Sequence, residues 1–186
     1  MSHGSKGEVY VRDEFASNGE ELAYQSELIL AKLKHEPIEI SAGITLESLP
    51  KEGKERSALV KVRVNQAFFR KTVLASYDNK CCITGLSIPE LLVASHIIPW
   101  AMEIPNRMNP CNGLCLNALH DRAFDYGLIT ITPEYRIKIS KALKRGNPVN
   151  DAYFIPFENQ FVTLPQKFLP AREFLEFHNQ HIFIER

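Results

Sequence analysis

No run of apolar residues in the 186-residue sequence approaches the roughly 20 needed to span a bilayer. The first residues also lack the apolar core of a signal peptide. The expectation is a soluble, intracellular, cytoplasmic protein with no membrane partner. Net charge is missing too: 22 basic side chains balance 22 acidic ones, so the whole-molecule field advertises neither nucleic acid nor membrane. Four cysteines in so long a chain make no disulfide scaffold, and the adjacent Cys81 and Cys82 are poorly placed to pair with each other. Reduced thiols are the default. The sequence contains no GxGxxG, Walker phosphate loop, GxSxG or HExxH, which removes the usual dinucleotide, nucleotide, serine-hydrolase and zincin sites. It has neither an internal repeat nor a low-complexity tract.

What is present is a composition 45% hydrophobic and 24% charged, enough for one compact domain or a domain with an arm. Charge is unevenly spread. Residues 1–50 carry 4 basic and 9 acidic side chains, whereas residues 51–80 carry 8 and 3, so the positive excess sits in one stretch. After an acidic opening, Ser17 or Asn18 caps a predicted helix that runs from Glu20-Glu21 to Lys32 and Lys34, with Leu22, Leu28, Ile29 and Leu33 as its apolar side. Pro37, Gly43 and Pro50 break the pattern, and Lys51–Lys61 reads as a charged linker with a boundary near residue 55.

A helix is predicted from Val62 to Tyr77, with Val64, Phe68, Val73 and Leu74 near one side and Arg63, Arg70 and Lys71 elsewhere. Arg63 and Arg70 are seven residues apart, two helical turns, so they project from one side and suit phosphates about 10 Å apart. Cys82–Gly85 reads as a turn, Leu91–Ile98 as a strand ended by Pro99, and an irregular loop with Pro105 and Pro110 leads to a short strand, Gly113–Leu116. Asn117 caps a short helix through Phe124 that Gly127 terminates. A hairpin follows over residues 128–132 and 136–140, and a last helix over Ala171–His181.

One region concentrates chemistry: His96, Asn112, His120, Asp121 and Asp125 lie between Ser95 and Asp125 on strand, loop and helix. The segments VASHIIPW and NPCNGLCLNALHDRAFDYGLITI resemble the HNH endonuclease family, in particular its restriction-type members. The resemblance covers roughly Lys54–Thr132, with Arg63, Gln66, Phe69 and Arg70 similar to an R-x-x-Q-x-x-F-R pattern upstream. It implies an α+β fold: a ββα-metal core with N-terminal and C-terminal helical additions and an extra β-hairpin. On this reading residues 1–54 are a helical arm or subdomain, 55–145 the nuclease domain, and 146–186 an extension packing on it.

The resemblance further implies a divalent-metal-dependent DNA endonuclease of a restriction or defence system. His96 corresponds to the general base, Asn112 to the residue that orients it, and the helix to the source of metal ligands. Phosphodiester hydrolysis needs such a set, because a base must take a proton from water and a cation must neutralise developing charge. Family ligands commonly fall nine and thirteen positions after the asparagine, which are Asp121 and Asp125 here, while His120 falls at eight. The two carboxylates, four residues apart and roughly 40° around a helix, can converge on one ion. His120 points about 100° away from Asp121, and spacing does not choose between it and the carboxylates as ligand or catalytic group.

Ser95 stands where many members have an ionic ligand, so carboxylate-rich ligation favours Mg²⁺ or Mn²⁺, with Zn²⁺ or Ni²⁺ as further options. The serine also motivates a rival reading, a noncatalytic DNA-binding module with a vestigial site; a mobile-element (homing) nuclease is another. Cys81, Cys82, Cys111 and Cys115 invite a zinc knuckle, but their CC and C-x₃-C spacing favours buried free thiols. Trp100 either stacks on DNA or packs beneath its loop, and His178 and His181 read as structural. The partner implied is DNA, and a homodimer is compatible with the sequence.

Overall fold

The computed structural model describes residues 18–102, 106–143 and 146–185; Ser17 and Pro105 lie outside them. Among the described residues no helix is long and apolar enough to cross a membrane. The chain divides into two compact units, residues 1–69 and 70–186.

The first unit is helical. Helix α1 (Gly19–Lys34) starts where the Asn18 carboxamide accepts from Glu21 N at 3.1 Å, and it ends at His35, whose φ of 55° turns the chain out of the helix. Its packed face is not the predicted one. Leu22, Ile29 and Leu33 are 39%, 58% and 74% exposed, whereas Ala23, Glu27 and Ala31 are buried. The helix carries two stripes, and the one with alanines packs because small side chains let backbones approach closely. Glu27 is tolerated there because Ser41, in the short helix α2 (Ile38–Ser41), donates to its carboxylate at 2.6 Å.

Helix α3 (Lys54–Ser76) begins eight residues before the predicted start and absorbs most of the expected linker. The stretch KERSALVK (residues 54–61) is made mostly of adequate helix formers, and two of its charges find partners. Arg56 pairs with Glu39 at 2.8 Å and Lys61 with Glu21 at 2.7 Å. Val60 and Val64 of α3 join Ala42 and Leu49 in the core of this unit, with Tyr24 and Ile38 packed against it.

The second unit has two small antiparallel sheets, giving the expected α+β class. Strand β1 (Leu92–His96) pairs with β2 (Gly113–Asn117) so that Leu92 faces Asn117 and His96 faces Gly113. Leu114, Cys115 and Leu116 are all fully buried. Helix α4 (Ala118–Asp125) follows at once, capped by the Asn117 carboxamide accepting from His120 N at 2.9 Å. Gly127 ends it at φ 65°; a Cβ there would meet the Ile182 carbonyl oxygen at 2.1 Å, so glycine is required twice over. Strands β3 (Ile129–Ile131) and β4 (Ile137–Ile139) form the predicted hairpin. After a short helix α5 (Pro148–Asp151), helix α6 (Arg172–His181) packs on β3.

His178 of α6 is buried between hairpin and α4. Its Nε2–H donates to the Phe124 carbonyl at 3.2 Å, its Nδ1 meets the Thr130 hydroxyl at 2.8 Å, and its ring stacks on Phe124 at 3.7 Å. Burial pushes its pKa down from 6.5 to about 4. An unfolded chain binds this proton at pH 6.5 and the folded one not until about pH 4, so stability contributed by neutral His178 is lost as pH falls through that window. The expected loss is up to about 3 kcal/mol. Urea unfolding at pH 7 and pH 4.5 checks it: the pH dependence should be markedly shallower in His178→Gln.

Candidate active site

The end of β1 and the approach to β2 are tied together by Asn112. Its side chain is fully buried; Oδ1 accepts from Ile98 N at 2.8 Å, Nδ2 donates to Ile98 O at 3.2 Å, and its own carbonyl accepts from Ile97 N at 2.9 Å. Asn112 therefore fixes the backbone immediately after His96. The Arg107 carbonyl lies 3.0 Å from His96 Nε2. A carbonyl oxygen only accepts, so Nε2 carries the hydrogen and Nδ1 carries the lone pair. Arg107 is itself held, with Nε donating to Trp100 O at 2.7 Å and its guanidinium 5.3 Å over the indole. The Trp100 ring meets the His96 ring edge-on at 5.4 Å. Burial lowers the His96 pKa below its ordinary 6.5, and the hydrogen bond to Arg107 opposes this only in part, so the imidazole is neutral at pH 7.

His96, Ser95, Trp100, Asp121 and Asp125 line one cleft of about 540 Å³, together with Arg122 and Tyr126. Helix α4 brings the two aspartates to it one turn apart, as their spacing predicted. Burial raises the Asp121 pKa, with Ser95 and Arg122 acting against it. The Ser95 hydroxyl is close enough to have this effect but makes no well-formed hydrogen bond of its own. Asp125 is raised by burial and then by the charge of Asp121. Arg122 reaches across the cleft wall, donating to the Tyr126 hydroxyl at 2.7 Å.

His120 faces elsewhere. It lines a separate, mainly apolar cavity with Leu91, Asn117, Leu119, Tyr153 and Phe157. Its Nδ1 lies 3.0 Å from Asn117 Oδ1 and its Nε2 3.2 Å from Tyr153 O, and Phe154 and Phe157 pack edge-on against its ring at 5.5 Å. The uncharged ring carries one hydrogen, so one of these contacts is a hydrogen bond, and it holds the ring together with the two phenylalanines.

Among the described residues no group of three or more His, Cys, Asp or Glu side chains is arranged to hold an ion. The cleft instead offers two carboxylates beside a neutral imidazole. That set fits a hard divalent cation, which takes one or two carboxylates and fills its remaining positions from water and phosphate. It does not fit a closed four-ligand zinc site. The four cysteines are free thiols. Burial pushes Cys115 up to about 12 and raises Cys82 and Cys111, which keeps those free thiols protonated.

Of the basic residues singled out in the sequence, Arg63 and Lys71 are exposed, and Arg70 is half-buried with its guanidinium donating to Pro89 O at 3.2 Å. The cleft residues that sequence reasoning did not assign to it are Trp100, Arg122 and Tyr126, and behind them Arg107. The i, i+4 spacing of Arg122 and Tyr126 is a legible signal. The part played by Arg107 is not, because it acts on His96 through a main-chain carbonyl.

Residues 81–132 match the model of a family described as HNH endonuclease, a stretch containing both strands of the first sheet, α4 and β3. No curated protein is significantly similar to the chain.

Since His120 lies outside the cleft, His120→Ala should cost about 2–4 kcal/mol of stability by removing a packed ring. The Asp121 and Asp125 carboxyls should titrate as in the unmutated protein, which NMR of the side-chain carbons checks.

Proposed function

We propose, from the match of residues 81–132 to the HNH endonuclease family, that the chain hydrolyses DNA phosphodiester bonds in the cleft between β1 and α4. The observation that carries the reading is the convergence there of a neutral histidine, whose tautomer is set by Arg107, with two aspartates whose pKa values are raised. His96 takes a proton from the attacking water at Nδ1, while Nε2–H stays on the Arg107 carbonyl. Asn112 acts at one remove, positioning the backbone that follows His96. Asp121 and Asp125 hold a divalent cation, Mg²⁺ or Mn²⁺, which when bound neutralises charge developing on the phosphate and the leaving oxygen. Arg122, at the cleft wall, supplies hydrogen-bond donors to a non-bridging phosphate oxygen.

The substrate duplex is held by backbone contacts from Arg63, Arg70 and Lys71, and the biological setting is restriction or defence against foreign DNA in the cytoplasm. Ser95, in place of an ionic ligand, favours the rival reading of a vestigial site that binds DNA without cutting it. Plasmid incubated with the protein and Mg²⁺ or Mn²⁺ separates the two: cleavage is expected, and binding without cleavage would support the rival.

His96→Ala should lower cleavage by roughly 10²- to 10⁴-fold, the usual contribution of a general base, while DNA affinity is retained. Because only neutral His96 serves as base and burial lowers its pKa, the acid limb of kcat/KM should have its midpoint below 6.5. A midpoint above that value removes His96 from the role.

Asp121→Asn should raise the Mn²⁺ concentration needed for cleavage, since an amide forfeits the attraction of a carboxylate for a hard cation, and His120→Ala should leave it unchanged. Calorimetric titration of both variants with Mn²⁺ decides, the reverse pattern transferring the ligand role to His120.

Arg63→Ala and Arg70→Ala should each weaken binding to unrelated duplexes alike and reduce the salt slope by about one. Fluorescence anisotropy across a salt series measures it, and loss confined to one sequence would mark base reading.

A further inference from the structure

Helix α1 turns Ala23, Glu27 and Ala31 into its own unit and leaves Leu22, Ile29 and Leu33 exposed. With Ser26, these occupy positions 22, 26, 29 and 33, the alternating four- and three-residue spacing by which one helix meets another along a seam. Ser26 does not interrupt that seam as a polar residue would, because its hydroxyl donates to Leu22 O at 2.7 Å. The charges along α1 are polarised: Glu20 and Glu21 stand in its first turn, Lys32 and Lys34 in its last. A parallel pair of such helices sets like charges side by side, whereas an antiparallel pair sets each acidic end against a basic one and opposes the two helix dipoles favourably.

We propose that α1 of a second copy of this chain covers this face in antiparallel register. Leu22 of each chain packs against Leu33 of the other, and Ser26 against Ile29. On one flank Glu21 and Gln25, one turn apart and already hydrogen-bonded at 2.7 Å, meet Lys32 of the second copy. The arrangement is two-fold and self-complementary, so it closes at a dimer. A 16-residue helix is only about 24 Å long, so the association is weak and depends on concentration.

Sedimentation analysis of the full chain tests this at on the order of 100 µM, where a weak transient interface is populated. The mass should rise from the 21.2 kDa monomer toward twice that value. Leu33→Glu should hold the protein monomeric with unchanged helical circular dichroism. Glu21→Lys and Lys32→Glu should each weaken self-association by roughly tenfold, as two favourable charge pairs become repulsive. An equimolar mixture of the two should recover it, because each then supplies the charge the other lacks. Lys61→Ala breaks the same Glu21 ion pair within the chain without altering the seam, and should leave the dimer intact. A monomer at the highest concentration, a dimer that survives Leu33→Glu, or charge variants that neither weaken alone nor recover on mixing would each overturn the proposal.

Discussion

Three hydrogen bonds between Asn112 and the backbone of Ile97 and Ile98 close the excursion that separates the two strands of the first sheet. A carboxamide is suited to this, since it offers an acceptor and a donor to the two main-chain groups of a single residue. Buried without these partners, those groups would be costly to leave unpaired, so the clamp is both a stabilising contact and a constraint on shape. Beside the clamp, the Arg107 carbonyl comes to His96 Nε2. The backbone that follows His96 is thus held by the side chain of Asn112.

Burial is the common cause behind the electrostatics of the cleft, and it acts in opposite directions on its two kinds of group. The imidazole is pushed towards neutrality by a lowered pKa, and the carboxyls towards neutrality by raised ones. For the histidine this favours the uncharged ring. For the aspartates it means that two negative charges are held together at a cost, relieved by any positive charge that enters. The asymmetry of the site therefore arises from one physical condition, with the chemistry of each side chain deciding what that condition does.

Much of this was legible locally. The strands, α4 and the hairpin are written in short-range signals: Asn117 at a helix start, Gly127 at its end, and alternating isoleucines on either side of Pro133-Glu134-Tyr135. The convergence of Asp121 and Asp125 followed from helix geometry, since both lie on one element. His120 was not decidable in that way. What fixes its ring is Tyr153, Phe154 and Phe157, more than thirty residues on, and no spacing within α4 records their arrival. The packed face of α1 misled for a related reason, because two apolar stripes compete on one helix and the less hydrophobic one fits. The early start of α3 was hidden because its charged first turns looked solvated, although Arg56 and Lys61 have partners far back in the chain.

The stretch from 81 to 132 that carries the cleft residues does not end its own hydrogen bonding. Cys82 O accepts from Thr163 N, Cys111 O from Ala171 N, and Gly127 O from Ile184 N, each at 2.8 to 3.0 Å. His178 seals the inner side of α4 against the hairpin. Cut out at the limits of the motif, the turns at Cys82, Cys111 and Gly127 would lose these partners. In this protein the motif is thus not an interchangeable cassette. A transplant to another scaffold would have to carry these partners from the last fifty residues or replace them.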